Sequence, residues 1–278
     1  MGAGSASSGR VGEGFWKLMP PLQKNRYELK YTVTERVALE VRKFILGYLS
    51  PDEYNDPDLP GYLIHSLYLD TADLQLCNAT LLGLKNRFKL RIRFYDENPE
   101  SPCFCEIKRR VQDTILKQRA IVSKQAASKI LAGHWPVPSD MRKFNDADWG
   151  ALQQFCRLKN ELRADGTAFV SYLREAYISP NDSSVRVTFD RKMTAGAYNH
   201  LNLTIEEPRL PTQIKLPNGE DGVVLELKFV NRFPNWMREL VQVFHLQRCA
   251  MPKYVRCVTA LQRLNHRQVV GMIGKAYE

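Results

Sequence analysis

A chain of 278 residues is long enough for one large domain or two small ones, with a sizeable core in either case. Its 40 Lys plus Arg exceed its 30 Asp plus Glu, a formal charge of +10, which points to a polyanionic partner: nucleic acid, a membrane surface or a phosphate-rich small molecule. The longest apolar stretch, Tyr62 to Leu69, is short and broken by His65 and Ser66, so a membrane-spanning helix is excluded.

The Gly- and Ser-rich start lacks the apolar core of a signal peptide, and Ala6 stands where a myristoylation signal needs Ser or Thr. Residues 1–20 are expected to form a disordered tail, residues 21–270 one domain, and the protein is expected to be cytoplasmic. Arg26 to Val33 alternates as a strand, and Thr34 to Leu49 is a helix with Thr34 as N-cap and Val37, Val41, Phe44 and Ile45 on one face. After a Pro/Asp/Gly loop come a strand over Tyr62 to Leu69 and a short helix or turn over Ala72 to Leu82. Lys85 to Tyr95 is a strand. Cys103 to Arg110 and Thr114 to Val122 form a hairpin around Gln112 and Asp113. Helices follow over Ser123 to Ala132 and Ala147 to Leu162. Strands are expected over Thr167 to Ile178, Val185 to Asp190, Leu201 to Ile205 and Gly222 to Val230, with a turn at Pro180 to Ser183. Helices over Pro234 to Leu246 and Tyr254 to Leu264 complete an α+β chain of about eight strands.

Strand side chains alternate faces with period two. One face of Lys85 to Tyr95 carries Lys85, Arg87, Lys89, Arg91 and Arg93, and the other Phe88, Leu90, Ile92 and Phe94. Like charges about 6.8 Å apart repel by roughly 0.6 kcal/mol in water and roughly 2.5 kcal/mol at an effective dielectric of 20. Facing an enclosed space, such a row needs an anion. Glu28 and Lys30 share a face, as do Glu106 and Lys108, Lys117 and Arg119, Arg186 and Asp190, and Glu226 and Lys228. Arg174 sits within an apolar-aromatic strand. Solvated faces usually mix Ser, Thr, Gln and both charge signs, whereas these are mainly basic with isolated Glu. The pattern favours an antiparallel sheet closed into a β-barrel tunnel with helices packed outside, which also removes the sheet's edges. The six scattered Cys read as reduced and mostly buried, and the five His show no metal-ligand spacing.

The segments RYELKYTV, HSLYLDT, FKLRIRFY, FCEIKRR, LKQRA, SYLREAY, VRVTFD, VLELKF and PKYVRCV, in this order over roughly residues 25 to 260, resemble the polyphosphate-polymerase (VTC) domain family of the triphosphate tunnel metalloenzyme superfamily. The resemblance implies a tunnel that transfers the γ-phosphate of ATP to the end of a polyphosphate chain. It implies Lys30, Arg91, Arg93, Lys108, Lys117, Arg174, Arg186 and Lys253 as phosphate ligands, with Arg91, Arg93, Lys108, Lys117 and Arg186 on the nucleotide. Glu226 is the implied metal ligand, for Mn²⁺ or Mg²⁺. Glu106 and Lys228 are implied lumen neighbours of less definite role, and Arg119 is a weaker candidate. The partners implied are ATP and inorganic polyphosphate. The sensing domain and membrane helices of eukaryotic members are not seen in this sequence, and recruitment of a membrane partner is left open.

Two other classes remain. Related tunnel enzymes that hydrolyse triphosphates or cyclise ATP carry ExExK on the first strand, where this chain has Arg26, Glu28 and Lys30. Fewer carboxylates mean fewer metals to activate water, which favours transfer. Glu28 reads equally as a lumen residue or as the partner of a nearby Arg. A non-catalytic binder of polyphosphate or nucleic acid is the third class. Nucleic acid is not expected, because the aromatics fall mostly on apolar faces and non-specific binders stack bases on exposed rings.

Overall fold

The computed structural model describes residues 26–55, 61–112, 114–180, 184–199, 203–204 and 209–263. The expected tail and the turn after Pro180 lie outside them. So does most of the strand expected over Leu201 to Ile205, whose described residues, Leu203 and Thr204, are not in a strand.

The elements in chain order are β1 (Arg26–Val33), α1 (Glu35–Ile45), β2 (Ser50–Pro51), β3 (Tyr62–Asp70), α2 (Gln75–Leu81), β4 (Asn86–Phe94), β5 (Cys103–Val111), β6 (Thr114–Val122), α3 (Lys124–Leu131), α4 (Asp146–Glu161), β7 (Asp165–Ile178), β8 (Val185–Ala197), β9 (Leu210–Pro211), β10 (Val223–Val230) and α5 (Asn235–Val243). A last helix, α6, covers 253–263. Thr34, Ser123 and Asn145 cap α1, α3 and α4 by accepting the backbone N–H three residues on, which satisfies donors that a helix start otherwise leaves open.

All strands join one antiparallel sheet in the order β2-β7-β3-β4-β5-β6-β1-β10-β8-β9, and β7 also pairs with β8. The two short strands, β2 and β9, have no counterpart in the sequence reading. β1 meets β6 through one residue pair, Arg26 with Ile115, while all of β1 pairs with β10. The expected closed barrel is therefore met in part: the strands curl back on themselves, but the ladder is almost absent along the β6–β1 seam. β8 runs past Asp190 to Ala197 through an irregularity opposite Ser171 to Leu173, with Lys192 at φ 49°. Such an irregularity moves the following residues to the other face. Thr188 and Asp190 thus share a face with Met193 and Ala195.

The outer face of the sheet carries two apolar layers. Leu90, Ile92, Phe94, Cys105, Ile107 and Ala120 pack with α3 and α4 residues such as Ile130, Leu152 and Phe155. Tyr31, Phe189, Leu225 and Leu227 pack with Val41 and Ile45 of α1 and Met237 and Leu240 of α5. Helices over both stretches leave the charged alternate residues on the inner face. A third cluster lies on that inner face at one end, where α6 places Tyr254, Val255, Cys257 and Val258 against Ile64, Tyr68, Val170, Tyr172, Met193 and Val224. Tyr254 stacks on Tyr68 with ring centroids 4.6 Å apart, and its hydroxyl donates to Asp70 at 2.8 Å. Helix α6 is therefore an inner element that fills one end between β3, β7, β8 and β10, a correction to the expectation that all helices pack outside. Five of the cysteines are buried and Cys249 is half-buried, and all six are free thiols, as expected.

Candidate functional site

The inner face gathers its charges around two buried carboxylates. Glu106 of β5 is fully buried. Its oxygens receive Arg91 Nη2 at 2.6 Å, Lys117 Nζ at 2.6 Å and Arg119 Nη2 at 2.8 Å, with Arg93 Nε at 3.9 Å. Strand register places them there, since Glu106 lies directly between Arg91 on β4 and Arg119 on β6. Burial opposes ionisation of Glu106, but Arg91, Arg93, Arg119 and, while it keeps its proton, Lys117 outweigh it and hold the carboxyl well below the usual carboxylate range.

Glu226 of β10 is the second centre. It binds Lys30 at 2.6 Å, Lys228 at 2.6 Å, Lys253 at 2.8 Å and Arg174 at 3.2 Å. Burial again disfavours its charge, and Lys228, Lys253, Lys30 and Arg174 together win, keeping it ionised. Asp190 of β8 adjoins this group: Arg174 grips it with two donors at 2.7 Å, and Lys253 reaches it at 2.6 Å. The two centres are linked by Glu28, which bridges Lys30 at 2.8 Å and Lys108 at 2.7 Å. The partners of Glu28 are thus lysines, not the arginine considered from sequence. Arg186 stands apart, bound to Asp52 at 2.6 Å and donating to the Tyr62 hydroxyl at 2.9 Å. It faces Lys228 across the ladder.

The structure therefore places Arg91, Arg93 and Lys117 around Glu106, Lys30, Arg174 and Lys253 around Glu226, Lys108 between the two groups and Arg186 beside them on the same face. Arg119, the weaker candidate, bonds Glu106 as directly as Arg91 does. Asp190, Asp52, Thr188, Tyr68 and Lys89 join the site without having been assigned to it. Asp190 and Lys89 were legible as face-mates of assigned residues, whereas Tyr68 and Asp52 gave no charge pattern to follow. Lys89 forms no hydrogen bond or ion pair among the described residues, and its ladder partner Lys108 has the same sign. Cations clearly outnumber carboxylates on this face. Burying ion pairs is weak as a source of stability, because desolvation cancels much of the attraction. A surplus of one sign adds a cost that a bound anion, or the loss of a lysine's proton, removes.

Three lysines report that cost, among them Lys228, which burial lowers to about 7 with Glu226 opposing and Arg174 adding to the drop. Burial lowers Lys117 to about 6, with Glu106 opposing and Arg119, Arg91 and Arg93 adding to the drop. Burial lowers Lys89 to about 8, Tyr68 opposing and Lys108, Lys30 and Arg91 reinforcing it. A polyanion favours the charged form and raises all three values. At about pH 8, where Lys117 is mostly neutral in the free protein, tripolyphosphate binding should take up protons. At about pH 5, where all three lysines are mostly charged, their uptake should largely vanish. Calorimetry in buffers of different ionisation heat reads the effect once the protons that tripolyphosphate itself exchanges are subtracted, and a corrected uptake of zero at the higher pH would mean that all three lysines are already protonated in the free site.

Among the described residues no group of three His, Cys, Asp or Glu could hold a metal by itself. Mg²⁺ is commonly held by one or two carboxylates with substrate phosphates completing the shell. Glu226, with Asp190 beside it but both of its own oxygens held by lysine or arginine, fits a cation that arrives with its substrate and not a resident one. No described helix is long and apolar enough to cross a membrane.

An antiparallel wall around a cationic, carboxylate-braced interior defines a protein that handles phosphates or nucleotides. The chain belongs to the VTC domain family, whose model matches residues 25–262, a family of the triphosphate tunnel metalloenzyme-like fold. Solved structures with some likeness include a Bacillus halodurans protein assigned as an adenylate cyclase, at 15% identity and TM-score 0.45, with 82% of this chain and 94% of that chain covered. A Vibrio parahaemolyticus protein with the same assignment has 14% identity and TM-score 0.41, with 84% and 98% covered. No curated protein sequence matches the chain.

Proposed function

We propose that residues 21–270 form one tunnel domain, with the eight long strands enclosing a lumen, and that it transfers the γ-phosphate of ATP to the end of an inorganic polyphosphate chain. The observation that carries this reading is the convergence of Lys30, Arg91, Arg93, Lys108, Lys117, Arg174 and Lys253 on one inner face around Glu106 and Glu226.

Phosphoryl transfer asks for positioning and charge neutralisation more than covalent help. The arginines can each grip two phosphate oxygens, and the lysines act as compact point charges. Held by both, donor and acceptor lie in line, which turns a two-body step into an organised one. A terminal oxygen of the acceptor chain attacks the γ-phosphorus, the bond to the β-phosphate bridging oxygen breaks, and ADP leaves with the electron pair. The attacking group is already anionic, so no general base is needed. A divalent cation, Mn²⁺ or Mg²⁺, between Glu226 and phosphate oxygens would neutralise charge on the transferring and leaving groups.

Purified protein given ATP and Mn²⁺ should make acid-insoluble polyphosphate and one ADP for each phosphate added. Free phosphate in place of polymer would establish a hydrolase, a reading favoured by Asp190 and Glu28 lying near Glu226 as extra carboxylates. Neither product, with polyphosphate still raising Tm, would leave a non-catalytic binder.

A further inference from the structure

At one end of the inner face the alternation of charges gives way to rings. Tyr62 on β3, Tyr95 just after β4 and Phe104 on β5 occupy positions that continue the rows containing Ser66, Arg93 and Glu106. Tyr54, from the segment after β2, joins them and is 68% exposed. The rings form a chain: Tyr54 to Tyr62 at 6.4 Å, Tyr62 to Tyr95 at 6.1 Å and Tyr95 to Phe104 at 5.6 Å between centroids. They meet at 68°, 58° and 79°, so successive rings do not cover one another's faces. The sequence reading placed the aromatics mostly on apolar faces, and these four depart from it.

The outer apolar layers hold the strands without these rings, although Tyr62 and Tyr95 also touch the edge of the inner apolar cluster. Tyr62, Tyr95 and Phe104 stay half-buried on the charged side. The chain of rings is flanked by the cations of the site. The Arg119 guanidinium lies 4.7 Å from the Phe104 ring centre, and Arg186 donates to the Tyr62 hydroxyl. Arg174 pairs with Tyr62 across the β3–β7 ladder, where Gly61 lets the two strands close up: a Cβ there would sit 2.1 Å from the Arg174 carbonyl oxygen. Stacking faces beside arginine forks suit a molecule that is aromatic at one end and polyanionic at the other.

We propose that this aromatic rim is a nucleobase subsite, taking the base of a nucleoside triphosphate while its phosphates run inward past Arg186, Arg93 and Arg174. The inference rests on the phosphate-binding reading of the inner face. It adds where the nucleoside sits, and it adds that bases are not told apart. Every base has a π-face, and recognition of a particular base would need amide or carboxylate partners on its edge. The nearby candidates are engaged: Asn55 with the Ala176 backbone in both directions, Asp52 with Arg186, and Glu53 with the Tyr54 hydroxyl.

The test compares ATP, GTP and tripolyphosphate binding by calorimetry in the unmodified chain, in Tyr54→Ala/Tyr95→Ala and in Tyr54→Phe/Tyr95→Phe. The unmodified chain should bind ATP and GTP with similar affinity and both more tightly than tripolyphosphate. The double alanine variant should lose about tenfold for both nucleotides, the scale of one stacked base, and keep its tripolyphosphate affinity. The phenylalanine pair should behave as the unmodified chain. Tyr54→Ala alone, at an exposed position, should show the same direction even if the double variant folds poorly. Equal loss for nucleotides and tripolyphosphate, or an unmodified chain that binds tripolyphosphate as tightly as ATP, would overturn the rim while sparing the phosphate site. Failure to bind any of the three would overturn both.

Discussion

Glu226→Gln should abolish polyphosphate synthesis, with turnover falling at least about a hundredfold, the scale for removing one preorganised electrostatic group. The carboxamide keeps the size of the side chain and can still accept from Lys30 and Arg174. It cannot neutralise the four cations around it or serve as an anionic ligand to a metal–phosphate complex. Binding should respond in the opposite sense. With one negative charge removed from among Lys30, Lys228, Lys253 and Arg174, metal-free tripolyphosphate should bind at least as tightly as before. Turnover assays and calorimetry on the same preparation separate the two effects. A variant with full turnover would remove Glu226 from the reaction, and one that lost affinity and turnover in parallel would make it a structural brace.

The strand content and the charged faces were legible because period-two alternation needs only local sequence. The β4 run of Arg87, Lys89, Arg91 and Arg93 against Phe88, Leu90, Ile92 and Phe94 fixes which side faces the core before any partner is known. The same alternation set Lys30, Glu226 and Arg186 on the inner face. Features that depend on register or on distant contacts were not legible. Asp190 could be seen as a face-mate of Arg186, but its grip on Arg174 follows from the β7–β8 register. The irregularity at Lys192 carries no glycine to announce it, so the strand appeared to end at Asp190. Helix α6 reads as an ordinary amphipathic segment, and its place inside the sheet depends on Tyr254 reaching Tyr68 and Asp70, far back in the chain. The seam between β6 and β1 likewise depends on how far successive strands are staggered, which no single strand encodes.

Glu106→Gln should behave unlike Glu226→Gln, because Glu106 is ringed on its own centre by Arg91, Arg93, Lys117 and Arg119. It is fully buried, so its loss leaves neighbouring cations without their counter-charge. Breaking a buried charge set costs about 3–5 kcal/mol, and the partial exposure of Lys117 and Arg119 places this case near about 3 kcal/mol. The melting temperature of the free protein should drop by several degrees. A bound polyanion supplies the missing negative charge, so tripolyphosphate should raise Tm more in the variant than in the unmodified chain. Turnover at saturating substrate should survive, since the arginines still meet phosphate. The pH dependence follows from the lowered folded-state pKa of Glu106. Its contribution is complete above the ordinary carboxylate range and is lost as the pH falls through the folded value, so the Tm gap should persist at neutral pH and begin to close only below about pH 4. An unchanged Tm without ligand would show that the four cations need no internal counter-charge. A turnover loss as deep as that of Glu226→Gln would place Glu106 in the transfer step itself.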